Sequence, residues 1–207
     1  MYGGSILKKL ILPIALTASL LLPSVAFGAG TYTVGNGDTL WKVAVKNQVG
    51  ITELISANPQ VQNINMIYPG QSLNIPSNHY QSIEQQVVNL VNAERAKVGV
   101  KPLTSDWELA RVARFKSEDM RDNRYFDHNS PIYGTPFQMM KSFGINYKAA
   151  GENIAAGQTT AESVMKAWMN SPGHKQNILS PNFTHIGVGY AKGGSYGHYW
   201  TQQFMSK

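Results

Sequence analysis

A short polar joint, Ser77-Asn78-His79-Tyr80, separates two stretches of unlike texture, so the chain has to fold as two units. Before it, from Thr31 to Pro76, two short alternating segments enclose two short helical ones. After it, helical periodicity comes first and glycine-interrupted alternation comes last. With Gln81 included, residues 77–81 form a linker too short to let the two units act independently over long distances.

In the first unit Tyr32 and Val34 alternate as a strand, Gly35-Asn36-Gly37 turns, and a helix begins at Asp38. An Asp there can accept the unpaired N–H groups of the first turn as the N-cap, with Trp41 and Val45 on one face. A second helix runs through Glu53 to Ala57 and stops at Asn58-Pro59, because the residue before proline is pushed out of the α region. Tyr68-Pro69-Gly70-Gln71 then turns into a closing strand with Leu73 and Ile75. The predicted order is βααβ.

Ahead of this unit, Lys8-Lys9 precede an apolar run from Leu10 to Leu22, then Pro23 and the small residues Ala26, Gly28 and Ala29. The run, about 13 residues, falls short of the roughly 20 that span a bilayer as a helix. Residues 1–28 therefore read as an export signal, cut after Gly28, and no stable membrane span is expected. The chain carries +6 formal charge over 207 residues, and loss of Lys8 and Lys9 leaves it basic. Outside the cytoplasm that excess favours anionic wall polymers or lipid headgroups, and with no Lys/Arg run no nucleic-acid partner is expected. An exported chain with 0 cysteines has no disulfide framework, so each unit must live on its core or on a bound metal.

The segments YTVGNGDTLWKVAVKN, LISANP and IYPGQSLNIP, within residues 31–76, closely resemble the LysM domain. That family binds N-acetylglucosamine-containing glycans of peptidoglycan or chitin in a shallow groove. The resemblance implies a groove lined by Gly37, Asp38, Thr39 and Leu40 on one side and Met66, Ile67 and Pro69 on the other. Backbone groups exposed at such Gly and Pro turns can hydrogen-bond acetamido groups while apolar neighbours pack their methyls.

The second unit spans 82–207. Ile83, Val87, Leu90, Val91, Glu94 and Val98 follow helical spacing until Gly99. Ser105 and Glu108 form a capping-box pair before a stripe of Leu109, Val112, Ala113, Phe115 and Met120. A short helix is predicted over Pro136 to Phe143, closed by Gly144, and another from the pair Thr159/Glu162 through Val164, Met165 and Trp168. Ile186, Val188 and Tyr190 alternate with glycines, and Tyr199 to Phe204 forms a second strand joined across Gly193-Gly194. The fold class is α+β, with helices layered on a small antiparallel sheet.

In order, LVNAERAKVGVKPL, YFDHNSP, GENIAAG, AWMNSPGHKQNIL, HIGVGYA and YWTQQF resemble the CAP superfamily of cysteine-rich secretory, antigen 5 and pathogenesis-related proteins, in a cysteine-free bacterial form. The resemblance implies an α-β-α layered domain. It also implies a central cleft in which His128 and His174 can hold a divalent metal such as zinc, with Glu152 at the first acidic position. Glu152 could ligate, orient a ring or polarise water. Where many members carry a second Glu, this chain has Ser171, so the set of four is at most three. Ser171-Pro172 reads as an N-cap with Pro at the first helical position, which puts His174 in a first turn that favours its neutral form. Asn153 reads as a brace, His185 and His198 as strand-edge or loop residues, and His79 as linker.

Gly193-Gly194-Ser195-Tyr196-Gly197 spells the nucleophile-elbow pattern, but a strand follows it and no acid remains downstream, so it is a hairpin loop. Asn182-Phe183-Thr184 matches a glycosylation acceptor that says little in a bacterial chain. No HExxH, phosphate-binding or dinucleotide motif occurs. A pairing of these two domains resembles wall- or spore-coat-associated proteins of Gram-positive bacteria. The function expected is an exported, wall-associated protein whose second domain is a non-enzymatic binding or structural module for a protein, small ligand, lipid, glycan or metal. The alternative is a metal-assisted wall hydrolase with zinc on His128 and His174 and Glu152 as the catalytic base.

Overall fold

The structure, a computed structural model, describes residues 28–76 and 81–207. The export signal therefore lies outside the described residues except for Gly28, as do His79 and most of the linker. No helix among the described residues is long and apolar enough to cross a membrane.

The first unit is β1 (Gly28–Thr33), α1 (Leu40–Lys46), α2 (Ile51–Ser56) and β2 (Ser72–Pro76), with β1 and β2 antiparallel. Val34, Leu40, Val43, Ala44, Leu54 and Leu73 close its core. Buried Asn58 ties the end of α2 to β2: its amide donates to the carbonyls of Leu54 (2.8 Å) and Asn74 (2.7 Å), and its side-chain oxygen accepts from Asn74 N (2.7 Å). The N-cap of α1 is Thr39, not Asp38, and Thr39 accepts from Lys42 N. Asp38 is spent on the preceding turn, accepting from Gly35 N and Tyr32 Oη at 2.8 Å each. Trp41 and Val45 do share a face, but it is the exposed one, at 59% and 39%.

The second unit is α3 (Gln81–Lys97), β3 (Thr104–Ser105), α4 (Trp107–Asp122), α5 (Pro136–Ser142), β4 (Ala149–Ala156), α6 (Ala161–Met169), α7 (Pro172–Leu179), β5 (His185–Lys192) and β6 (His198–Ser206). Its sheet runs β3-β5-β6-β4, antiparallel except for the two-residue parallel pairing of β3 with β5. The expected antiparallel sheet thus gains one short parallel edge. Two capping assignments move by one residue. Ser105 belongs to β3, so Asp106 caps α4 and accepts from Leu109 N, and Thr160 with Ser163 makes the capping box of α6. Val98 lies just beyond α3 and is exposed.

Packing makes this unit an α-β-α sandwich. Val87, Val91, Trp168, Ile178, Val188, Tyr190, Trp200 and Phe204 join α3, α6 and α7 to one face of the sheet. On the other face, Leu109, Val112, Met139, Met140 and Met205 join α4 and α5 to it. Buried Arg95 fastens the end of α3 to the end of α7, donating to the carbonyls of Lys101, just after α3, and of Ile178 and Ser180 at 2.7–2.8 Å. Edge strand β4 is therefore flanked by the loop after α4 on one side and by α7 on the other.

Candidate functional site

Glu152 and Asn153 are adjacent on β4 and so point to opposite faces of the sheet. Glu152 is paired in register with Gln203 of β6, whose amide donates to Glu152 Oε2 at 3.0 Å. The other carboxylate oxygen, Oε1, lies 2.9 Å from His128 Nδ1. A carboxylate can only accept, so Nδ1 carries a proton toward Glu152 and Nε2 is the ring atom left free of that contact. The burial is lopsided: the Glu152 side chain is 2% exposed and that of His128 48%. Glu152 thus orients a histidine that faces solvent.

His128 is held from below as well. Lys116, fully buried in α4, donates to Tyr125 Oη (2.9 Å) and to the carbonyls of Asp127 (2.7 Å) and His128 (2.9 Å). Asp119, one turn on, accepts from Tyr125 Oη, from Ser130 Oγ (2.7 Å) and from Asn123 (2.7 Å). Burial pushes the Lys116 ammonium below the usual lysine range, opposed by Glu152, Asp119 and Asp127. Burial and Asp119 push the Tyr125 phenol up. The sequence carried a signal for this clamp: Lys116 sits on the same helical stripe as Leu109, Val112, Ala113 and Met120, where an ionisable residue needs a partner.

On the far side of β4, Ser171 precedes α7 without a side-chain cap bond, Pro172 opens the helix, and His174 falls in its first turn. Asn153 is the brace expected of it: its amide donates to His174 O and to Gln202 Oε1, both at 3.0 Å. Asn177 donates to Asn153 Oδ1 at 2.8 Å and to Glu152 O at 3.3 Å. Burial lowers the pKa of His174, and the charge of His128 lowers it further, so the imidazole is held in its neutral form. The three residues therefore converge on one edge of the sheet. They do not make a ready three-ligand metal centre: among the described residues no group of three or more His, Cys, Asp or Glu side chains could hold a metal ion. Glu152, with both oxygens engaged, stands behind His128 rather than beside it as a ligand.

In the first unit the end of β1 is stitched to the 68–71 turn by Val34 N to Gln71 O (2.9 Å) and Gly70 N to Val34 O (2.8 Å). This brings the 35–39 and 66–70 segments side by side. Gly37 takes a φ of +77°, open to glycine, and its carbonyl accepts from Lys42 Nζ at 2.8 Å. Thr39, Met66 and Pro69 are exposed and Ile67 half-buried. Leu40 differs from the expectation, because its side chain is packed in the core. Tyr68, not among the residues expected there, is 61% exposed beside Met66. With Gln60, Asn63 and Met66 it borders a cleft of about 490 Å³.

A family model described as the cysteine-rich secretory protein family, CAP, matches residues 88–204. The chain belongs to that family. Residues 32–76 match the LysM domain. Over 124 residues, 60% of this chain, it is 65% identical to an uncharacterized protein of Bacillus subtilis strain 168, YkwD, covering 47% of that protein. It is 36% identical over 124 residues to an uncharacterized membrane protein of the same strain, YlbC, covering 60% of this chain and 34% of that one. Among solved structures, an extracellular protein containing an SCP domain from Bacillus anthracis strain Ames superposes with a TM-score of 0.57 at 34% identity. That match covers 67% of this chain and 47% of the other. The chain thus spans half or less of these relatives' lengths. The CAP domain is the cysteine-free form of a family named for its cysteines.

Proposed function

We propose that this chain is an exported, wall-bound binding protein in which the LysM domain grips an N-acetylglucosamine-containing glycan of peptidoglycan and the CAP domain presents a ligand-binding cleft. The groove would use the exposed backbone around Gly37, Asp38 and Thr39 and the surfaces of Met66, Ile67 and Pro69, with Tyr68 added and Leu40 contributing through its main chain. Delivery to the wall or, in a spore former, to the spore surface follows from that glycan. A protein or small ligand meets His128 Nε2 and the neutral His174 across the edge of β4.

The observation that carries a binding role over a hydrolytic one is the engagement of Glu152. With Oε1 against His128, Oε2 against Gln203 and the side chain only 2% exposed, its carboxylate is committed to positioning His128 and presents almost no surface at which to activate water. Among the described residues the donor set there offers two imidazoles and no third ligand.

Co-sedimentation with purified insoluble peptidoglycan tests the anchor. The full chain is expected in the pellet, and a chain lacking residues 31–76 in the supernatant. Equal pelleting of both would remove LysM as the main anchor. Incubating the full chain with purified wall tests the cleft: no soluble fragments are expected across pH and added divalent ions. Fragment release that is lost in folded Glu152→Gln would replace this reading with the hydrolase.

A further inference from the structure

We infer that the LysM and CAP domains are clasped together by Glu53 and Arg111, so that the chain carries its groove and its cleft on one rigid body rather than on two tethered beads. Glu53 lies in the first turn of α2 and Arg111 in the N-terminal half of α4. They meet by two parallel bonds, Arg111 Nε to Oε1 at 3.0 Å and Nη2 to Oε2 at 3.3 Å, the fork geometry in which Arg is most selective. The guanidinium is already placed on the CAP side, 5.1 Å from the ring centre of Phe115 and 5.5 Å from that of Phe143. An arginine already held beside aromatic rings loses less freedom when it forms the pair.

A second observation points the same way. Gly50, buried at the N-cap of α2, has an ordinary φ of −69°, so no turn demands glycine there. A Cβ on it would fall on the Glu53 carboxylate and the Arg111 guanidinium. What the missing side chain permits is the passage of the ion pair over the LysM backbone. Around the clasp, Trp41, Val45 and Ile51 face Trp107 and Phe143 across a cleft of about 300 Å³. The linker supplies a high effective concentration, so a pair of modest strength keeps the domains closed.

The clasp sits away from both sites. On LysM it uses the start of α2, whereas the proposed groove lies at the start of α1 and in the loop after α2. On CAP it uses the first half of α4, whereas His128 follows the end of that helix. The 16 residues of α4 make a strut of about 24 Å.

The absence of cysteine allows two to be introduced at exposed Ser56→Cys and Lys192→Cys and spin-labelled. Electron–electron resonance on the full chain should give a single narrow distance distribution. Arg111→Ala, Glu53→Gln and Gly50→Ala should each lose that peak to a broad one while circular dichroism stays native and each domain still unfolds cooperatively. Glu53→Gln keeps the test open should Arg111→Ala misfold. A broad distribution in the unaltered background, or a peak that stays narrow in folded Glu53→Gln and Gly50→Ala, overturns the clasp.

Discussion

Lys116 shows how a buried charge becomes a positioning device. Its ammonium satisfies three acceptors that belong to the segment leading into His128, so the histidine is fixed through its own main chain as well as through Glu152. Lys116→Met would fit the apolar stripe of α4 but leave the Asp127 and His128 carbonyls unpaired. It should cost about 3 kcal/mol, the scale for orphaning buried partners of a charge. Urea unfolding measures that loss, and the imidazole signals of His128 should broaden while those of His185 do not. His174 gives a pH prediction. Its folded pKa lies below the unfolded value of 6.5, so between the two the unfolded state binds more protons. Its contribution to stability is complete above pH 6.5 and is lost as pH falls through the folded value, with a slope of at most about 1.4 kcal/mol per pH unit. His174→Asn should remove that slope from a pH series of unfolding midpoints between 7.5 and 5. An unchanged slope in the variant would assign the acid sensitivity elsewhere.

At the scale of elements, the alternation Ile186-Gly187-Val188-Gly189-Tyr190 was legible as a strand, but its purpose was not. Ile186, Val188 and Tyr190 pack into the core with α3 and α6, while Cβ atoms at Gly187 and Gly189 would fall on the backbone of α4 at Leu109–Ala110 and Ala113–Arg114. The glycines bring helix and sheet into backbone contact, and Ser117 Oγ then reaches Gly189 O at 3.1 Å and Thr201 Oγ1 at 2.9 Å. Gly189→Ala should therefore destabilise the CAP domain by about 2–3 kcal/mol, since the obstacle is backbone rather than a flexible side chain. Gly173→Ala, with open space at its Cβ, is the control that should stay near wild type. Helix existence followed from periodicity, and the caps slipped by one because capping depends on what else each candidate touches. Asp38 was taken by Gly35 and Tyr32, and Ser105 by β3. Ordered motifs singled out His128, Glu152 and His174, which the fold brings to one edge of the sheet. The order in which they touch depends on sheet register, which aligned Glu152 with Gln203 and turned Asn153 the other way.

At the scale of the molecule, the two units have separate cores, one around Leu54 and Leu73 and the other around Trp168 and Trp200. A chain with two cores need not unfold in one step. The LysM core is the smaller, and domains of that size bury proportionally less of their surface, so it should unfold first in urea. The tryptophans separate the events. Trp168 and Trp200 are fully buried in CAP, and Trp41 is 59% exposed on LysM. Intrinsic fluorescence should therefore report mainly the later CAP transition, and far-ultraviolet circular dichroism both. Trp41→Phe should leave the fluorescence midpoint in place, while breaking the clasp with Glu53→Gln should lower only the earlier transition. That shift should be within about 1 kcal/mol, the scale of a part-exposed ion pair. One coincident transition for both probes, unmoved by Glu53→Gln, would mean that the domains are coupled through a larger surface than the clasp.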